Sequence, residues 1–565
     1  MLRSLLRTKG LDLILADADK PGLRLKRTLT AFDLTALGIG AVIGAGIFAT
    51  VGTAAAGNPD RPGAGPAIIL SFVFTAIACA FCALCYAELA ALIPISGSAY
   101  TYAYATLGEI IAWIIGWDLI IEYAIGNVAV AISWAGYFNQ FLSGFGLEVP
   151  LWLRSDIQTA VSCHRLLADA ALSAAADPSR AEACRNLVAS SPSLGGWPIV
   201  MNLPGMAIVA LLTVILVIGI KESSRFNNLM VGLKLSILAL FIGVGAFYVK
   251  PANWHPFLPG GWAGVQAGAA IVFFSYIGFD AVSTAAEETR DPKRDLPLAL
   301  IASLIICTLL YIITAAVLTG MLPSTDLGTE EPLAHALMQR GVSWAAGLTS
   351  LGALIAMTSV LLVFQLGQPR IFFAMSRDGL LPKYFARVHP RFRTPHITTI
   401  WTGVVVALLA SVTTLDVMVE LTNIGTLFAF VLVCGGVMLL RAKDPGRVRP
   451  FRVPWVPLAP LWLIVLYGMA VLPGVGAWLR AAVVVIAISG LALNAGALAR
   501  KIRGLPVPEW LKTDLALAGI ASCLYLMDGL PGVTWRRFGW WLLAGLVLYY
   551  LYGFRHSRLR QEQAG

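Results

Sequence analysis

Charge is what this chain has least of: Asp, Glu, Lys and Arg make up 13% of its 565 residues, while 58% are hydrophobic. That balance excludes intrinsic disorder and an assembly of ordinary soluble domains. Histidine is also scarce, with six residues at positions 164, 255, 335, 389, 396 and 556, all outside the centres of the apolar runs. No nucleophile–base pair, metal cluster or phosphate loop accompanies them, so an enzyme, a bound metal and a cofactor are not expected. His164 beside Cys163 is no zinc pattern, because no further Cys/His cluster follows. Residues 1–30 are charged and hold no apolar core before Ala31, so no cleavable signal peptide is expected.

What is present is apolar length. Runs of about 18 or more apolar residues, enough to cross a ~30 Å hydrocarbon core, recur along the chain. They predict an all-α integral membrane protein with about 14 transmembrane helices, near 31–53, 66–92, 103–142, 203–220, 227–249, 264–286, 297–321, 344–368, 396–414, 417–440, 459–475, 479–499, 513–530 and 537–554. With the N-terminus inside, 30 of the 41 Lys and Arg fall on inner segments and 10 on outer segments or at the outer ends of spans, Lys234 alone lying deep within one. The bias places both termini in the cytoplasm of a cell (inner) membrane, and it accounts for the net charge of +10 without nucleic acid. Arg24, Lys26 and Arg27 in the tail 1–30 are expected to meet anionic lipid headgroups. Six of the eight cysteines lie in spans and read as packing residues. Cys163 and Cys184 lie in the long outer loop 143–202, where an oxidising compartment permits a disulfide; two free thiols are the alternative.

The stretch from Gly38 to Phe48 carries four glycines within nine residues of the first span. Glycine is a poor helix former, so the run has a purpose. Gly40 and Gly44 form a GxxxG pair suited to close packing. A break near Ile43 to Gly46 is the other reading, and it frees backbone groups that are tolerated at mid-membrane only where they line a cavity or hold a ligand. The sixth span, Phe273 to Asp280, is interrupted by Gly278 five spans later. Interruptions at corresponding places in two halves favour the break and point to an inverted-repeat transporter.

Two further features carry charge into the apolar region. Asp118 and Glu122, four residues apart, share a face of the third span; acids there default to a functional or paired role, with Lys234 or a backbone group as Glu122's structural partner. Lys234 lies nine residues past Arg225, ~13 Å along the helix. A buried ammonium can release its proton when the local field changes, making Lys234 a candidate proton carrier, against a purely structural pair.

Gly44 to Phe48, Ser96 to Tyr102, Trp117 to Tyr123, Phe273 to Asp280, Gly367 to Arg370 and Ala374 to Gly379 resemble, in this order, the amino acid–polyamine–organocation superfamily, and within it the cationic amino acid transporter family. The likeness runs from about residue 28 to 460 and resumes at Trp535 to Phe538, closing with Tyr549 to Gly553. It implies a LeuT-type 5+5 core: a first repeat 31–249, a second 264–440, a connector 441–458, accessory spans 459–554 and a tail 555–565. An α-amino acid would place its carboxylate on the N–H groups of Ala45 and Gly46 and its ammonium on the carbonyls of Ile43, Phe274 and Ile277. Ala45 stands where many relatives carry a hydroxyl. Phe274 would gate the site, Glu122 and Phe364 would meet the side chain, and bulky Phe364 favours a small or neutral substrate. Lys234 matches a lysine that replaces a bound cation in proton-coupled members, with Thr358 and Ser359 nearby. The expected activity is import of an α-amino acid with a proton by alternating access. A proton-independent exchanger and a non-transporting sensor are the alternatives, and a homo-oligomer or small membrane subunit stays open.

Overall fold

The computed structural model describes residues 28–560 apart from 59–60, 95–97, 170–177, 196, 220–223, 393 and 472–475. Arg24, Lys26, Arg27, Ser96, Gly97 and Arg393 lie outside the described residues. The chain enters its first helix through a capping box: the Thr30 hydroxyl accepts the Asp33 N–H at 3.3 Å, and the Asp33 carboxylate accepts the Thr30 N–H at 3.0 Å. Helix α1 (Ala31–Val42) then stops, and the span resumes as a π turn at Gly46–Thr50 running into α2 (Val51–Ala56). The next elements are α3 (Ile68–Leu92), a short α4 (Ser98–Thr106) and the long α5 (Glu109–Ser143), which contains a π turn at Ile121–Ile125. Gly108, at φ 106°, separates α4 from α5, so the third span begins at Glu109 and not at 103.

The outer loop folds on itself. Helices α6 (Ile157–Ala168) and α7 (Pro178–Ser190) pack together, joined by a Cys163–Cys184 disulfide over a small cluster with Ala160, Leu187 and Val200. Helices α8 (Leu203–Ile218), α9 (Ser224–Ala246) and α10 (Gly261–Val272) follow. The sixth span continues through 3-10 turns at Phe273–Tyr276 and Phe279–Glu288. Then come α11 (Pro292–Met321), the short α12 (Pro332–Gln339), α13 (Ser343–Arg377), α14 (His396–Val412), α15 (Leu415–Lys443), α16 (Ala459–Val471), α17 (Ala477–Ile502), α18 (Asp514–Asp528) and α19 (Gly532–Leu548).

Among the described residues, nine helices are long and apolar enough to cross a membrane. A further pair, Asp514–Asp528 and Gly532–His556, is bent by 116°, and Leu203–Ile218, His396–Val412 and Ala459–Ala470 are shorter apolar helices. Sixteen residues, as in α8, rise ~24 Å, less than a ~30 Å core, so length alone does not make such a helix a span. The chain is therefore a multi-pass helical membrane protein, built from helices packed in a definite pattern. α3 lies along α11, α5 along α13, and α8 along α14, while α1 crosses α11 and the 3-10 segment 279–288.

The end of the bundle where α3 and α15 finish is held by buried charge. Glu88, at the end of α3, pairs with Arg441 and with Arg449 (3.3 Å), and accepts the Val453 N–H at 2.8 Å. All three side chains are shielded from solvent, so removing one would leave an uncompensated buried charge. The segment after α15 is thus docked on the end of α3. α4, whose loop carries no Lys or Arg, packs inward as its composition implies, with Tyr100 donating to Asp378 at 2.8 Å. The other six cysteines are free and buried, Cys82 lying 3.5 Å from Cys523 and 3.9 Å from Cys434.

Candidate functional site

The two interrupted spans meet at their interruptions. A Cβ built on Gly46 would overlap the backbone of Ser275, and one on Gly278 would lie 3.0 Å from the Ala41 carbonyl. The first break falls at Ile43, which is extended at φ −76° and ψ 99°. Its N–H still closes α1 on Ile39 O at 2.9 Å, and the new helix begins with Phe48 N–H on Gly44 O at 3.3 Å. Between these bonds the N–H groups of Gly44, Ala45, Gly46 and Ile47 have no protein acceptor among the described residues. The carbonyls of Ile43 and Ile277 likewise receive no protein donor there, whereas Phe274 O accepts the Ile277 N–H at 3.4 Å. Every residue from Gly38 to Thr50 is buried, as are Phe274 at 5% exposure and Ile277 at 2%. Unpaired backbone groups this deep are costly unless something fills them.

Other carbonyls released by the breaks are held by side chains. The Tyr311 hydroxyl on α11 sits 3.0 Å from Val42 O and 2.9 Å from Ser275 O, clamping both breaks at once. Tyr137 on α5 donates to Phe48 O at 2.6 Å and stacks edge-on against the Phe48 ring. Asn423 on α15 donates to Ala270 O at 2.7 Å and Ile271 O at 3.1 Å, just before the second break. Lys234 donates to Gly40 O at 2.6 Å. Tyr311, Tyr137 and Asn423 were not singled out in the sequence, where a tyrosine within an apolar run reads as packing.

The charged residues separate into two places. Lys234, 0% exposed, faces α1 and has no ion pair among the described residues, so the expected Glu122–Lys234 pairing does not form. Glu122 lies near Thr426 on α15 and within electrostatic reach of Asp280 and Asp118 instead. Phe364 stacks edge-on with Tyr123 at 5.7 Å and lies against Gly126, beside the Glu122 turn. Thr358 bonds Leu354 O at 2.7 Å and accepts the Trp134 indole at 3.0 Å, while Ser359 is half-buried one residue further on α13. Val360 borders the break itself, with a methyl 2.8 Å from a Cβ built on Gly44.

Two broken helices that touch at buried, unpaired backbone within a multi-pass bundle suit a membrane transporter. Residues 29–493 match the amino acid permease family and residues 515–557 the C-terminal region of the same family, and the chain belongs to it. It is 42% identical to the branched-chain amino acid permease BcaP of Bacillus subtilis over 99% of this chain and 100% of that protein. It is 41% identical to the methylthioribose transporter of the same organism, again over 99% and 100%. A vacuolar cationic amino acid transporter 4 of Arabidopsis thaliana is 36% identical over 79% of this chain and 68% of its own length.

Proposed function

We propose that this amino acid permease imports an α-amino acid with a proton, by alternating access around the two breaks. One observation carries the reading: four consecutive free N–H groups at Gly44 to Ile47 and two free carbonyls, at Ile43 and Ile277, lie around the same junction. That is the donor and acceptor set of a zwitterion. The N–H groups open a half-helix, whose positive end favours the carboxylate, and carbonyls suit the ammonium. Because the Phe274 carbonyl already accepts an N–H, Ile43 and Ile277 are its main acceptors. Ala45 contributes backbone alone.

The LeuT-type 5+5 arrangement with fourteen spans is proposed on the packing. The helix pairs α3 with α11, α5 with α13 and α8 with α14 each join a span to the one five places later, as a pseudo-two-fold axis requires. Lys234 is proposed as the proton carrier: its ammonium bonds a carbonyl of the first half-helix, and no carboxylate among the described residues holds it charged. The Lys and Arg bias supports a cell-membrane protein with both termini cytoplasmic. Tyr123 and Phe364 beside Glu122, together with the likeness to the branched-chain permease, favour a neutral apolar side chain. Glu122, with Asp280 near it, favours a second reading, a cationic substrate.

The test is uptake of a panel of labelled amino acids into proteoliposomes, with and without an inward proton gradient, for wild type and Lys234→Ala. Gradient-dependent accumulation of branched-chain amino acids that the variant loses is expected. Uptake that ignores the gradient but requires amino acid inside would make the protein an exchanger.

A further inference from the structure

We propose that Asp118 is a second proton-accepting side chain of the transport cycle, exchanging a proton with Glu122 one helical turn away. The proposal rests on the proton-symport reading above. Glu122 lies within the π turn Ile121–Ile125, and an isolated π turn inside an α-helix frequently marks a functional position. Asp118 precedes it by four residues, nearer the Glu109 end of α5, and the two interact electrostatically. Glu109 is bonded by Tyr549 and Ser557, so the Asp118 side of the pair faces the end of the bundle where those two residues lie.

Asp118 is 1% exposed, and neither carboxylate oxygen has a hydrogen-bond partner. Helix α15 meets it with Gly425, where a Cβ would stand 2.9 Å from Oδ1; the neighbouring element offers the carboxylate room but no donor. The polar groups around the pair are Tyr86 from α3, Asp280 from the 279–288 segment, Thr426 from α15 and Tyr123 from α5, with Arg370 of α13 within electrostatic range of Tyr123. Neither Asp118 nor Glu122 has an ion pair with Lys or Arg among the described residues. A structural acid at this depth would be paired or capped; one with neither is held neutral by a proton. The cycle starts from protonated Asp118: its O–H bond breaks as the proton passes to water when the Glu109 side opens, and the vacated carboxylate then takes the proton of Glu122, breaking that O–H bond and forming one on Asp118. No other bond changes.

The experiment uses the full chain in proteoliposomes and compares wild type, Asp118→Asn and Asp118→Glu in two assays with the amino acid the wild type accumulates. One assay is accumulation under an inward proton gradient; the other is counterflow exchange at equal pH. Asp118→Asn is expected to lose at least tenfold in accumulation while exchange stays within twofold, and Asp118→Glu is expected to restore accumulation with a shifted pH profile. Accumulation by Asp118→Asn at the wild-type level and with the wild-type pH profile would overturn the proposal. Parallel loss of both assays would assign Asp118 to binding or packing and overturn it too. A wild type that ignores the gradient would instead refute the symport reading, which separates the two failures.

Discussion

The two breaks look alike in sequence and are made differently. In the first, Gly38, Gly40, Gly44 and Gly46 all keep ordinary backbone angles, and the chain turns at Ile43. Those glycines give close approach: a Cβ at Gly38 would lie 2.8 Å from the Ser303 hydroxyl, and one at Gly44 2.8 Å from Val360. In the second break, Gly278 itself turns the chain, at φ 109°. Packing and breaking are therefore not rival readings of the first run. Its glycines let neighbouring elements come close enough to hold a break that no glycine makes.

Substitutions can pull these two designs apart. The largest effect is expected at Gly46→Ala, because the added methyl group overlaps the Ser275 backbone and no flexible side chain can yield. Uptake should vanish and the melting temperature of the detergent-solubilised protein should fall, ligand or no ligand. Gly278→Ala comes next. A left-handed residue with a side chain costs ~1–3 kcal/mol, so uptake should drop on the order of tenfold, and Gly278→Asn should recover part of it. Tyr311→Phe removes one hydroxyl from between two buried carbonyls at a cost of ~1–3 kcal/mol, and should slow uptake severalfold while the protein still assembles. The smallest effect belongs to Gly40→Ala, whose methyl would meet two side-chain ends, a Val231 methyl at 3.0 Å and Asn227 Oδ1 at 3.3 Å. Uptake within about twofold of wild type is expected, since a neighbour that can shift by a few tenths of an ångström keeps overpacking cheap. If Gly40→Ala proved as damaging as Gly278→Ala, the first run would owe its glycines to conformation after all.

Much of this was legible in the sequence because charge and glycine are so rare in apolar spans that each instance points to a constraint. The position of the first break, the interruption at Gly278 and the burial of Lys234, Asp118 and Glu122 all came from that rarity. Partners were not legible. Lys234 bonds Gly40 O and not Glu122, because the face a lysine presents depends on how α9 leans on α1, which no local spacing encodes. Tyr311 and Tyr137 stayed hidden because their rings satisfy an apolar pattern while their hydroxyls brace backbone carbonyls of the two interrupted spans. The short helices α8, α14 and α16 stayed ambiguous because hydropathy marks apolar content but not where the helical backbone stops.

In the proposed transport cycle the free N–H groups from Gly44 to Ile47 hold the carboxylate of the substrate. That contact is tested most directly by competition in the uptake assay between a transported amino acid and its carboxamide, which keeps the ammonium and the side chain but replaces the carboxylate with a neutral group. The amide is expected to compete at least tenfold more weakly than the acid. Equal competition by the two would contradict the carboxylate cradle and place the recognition elsewhere in the site.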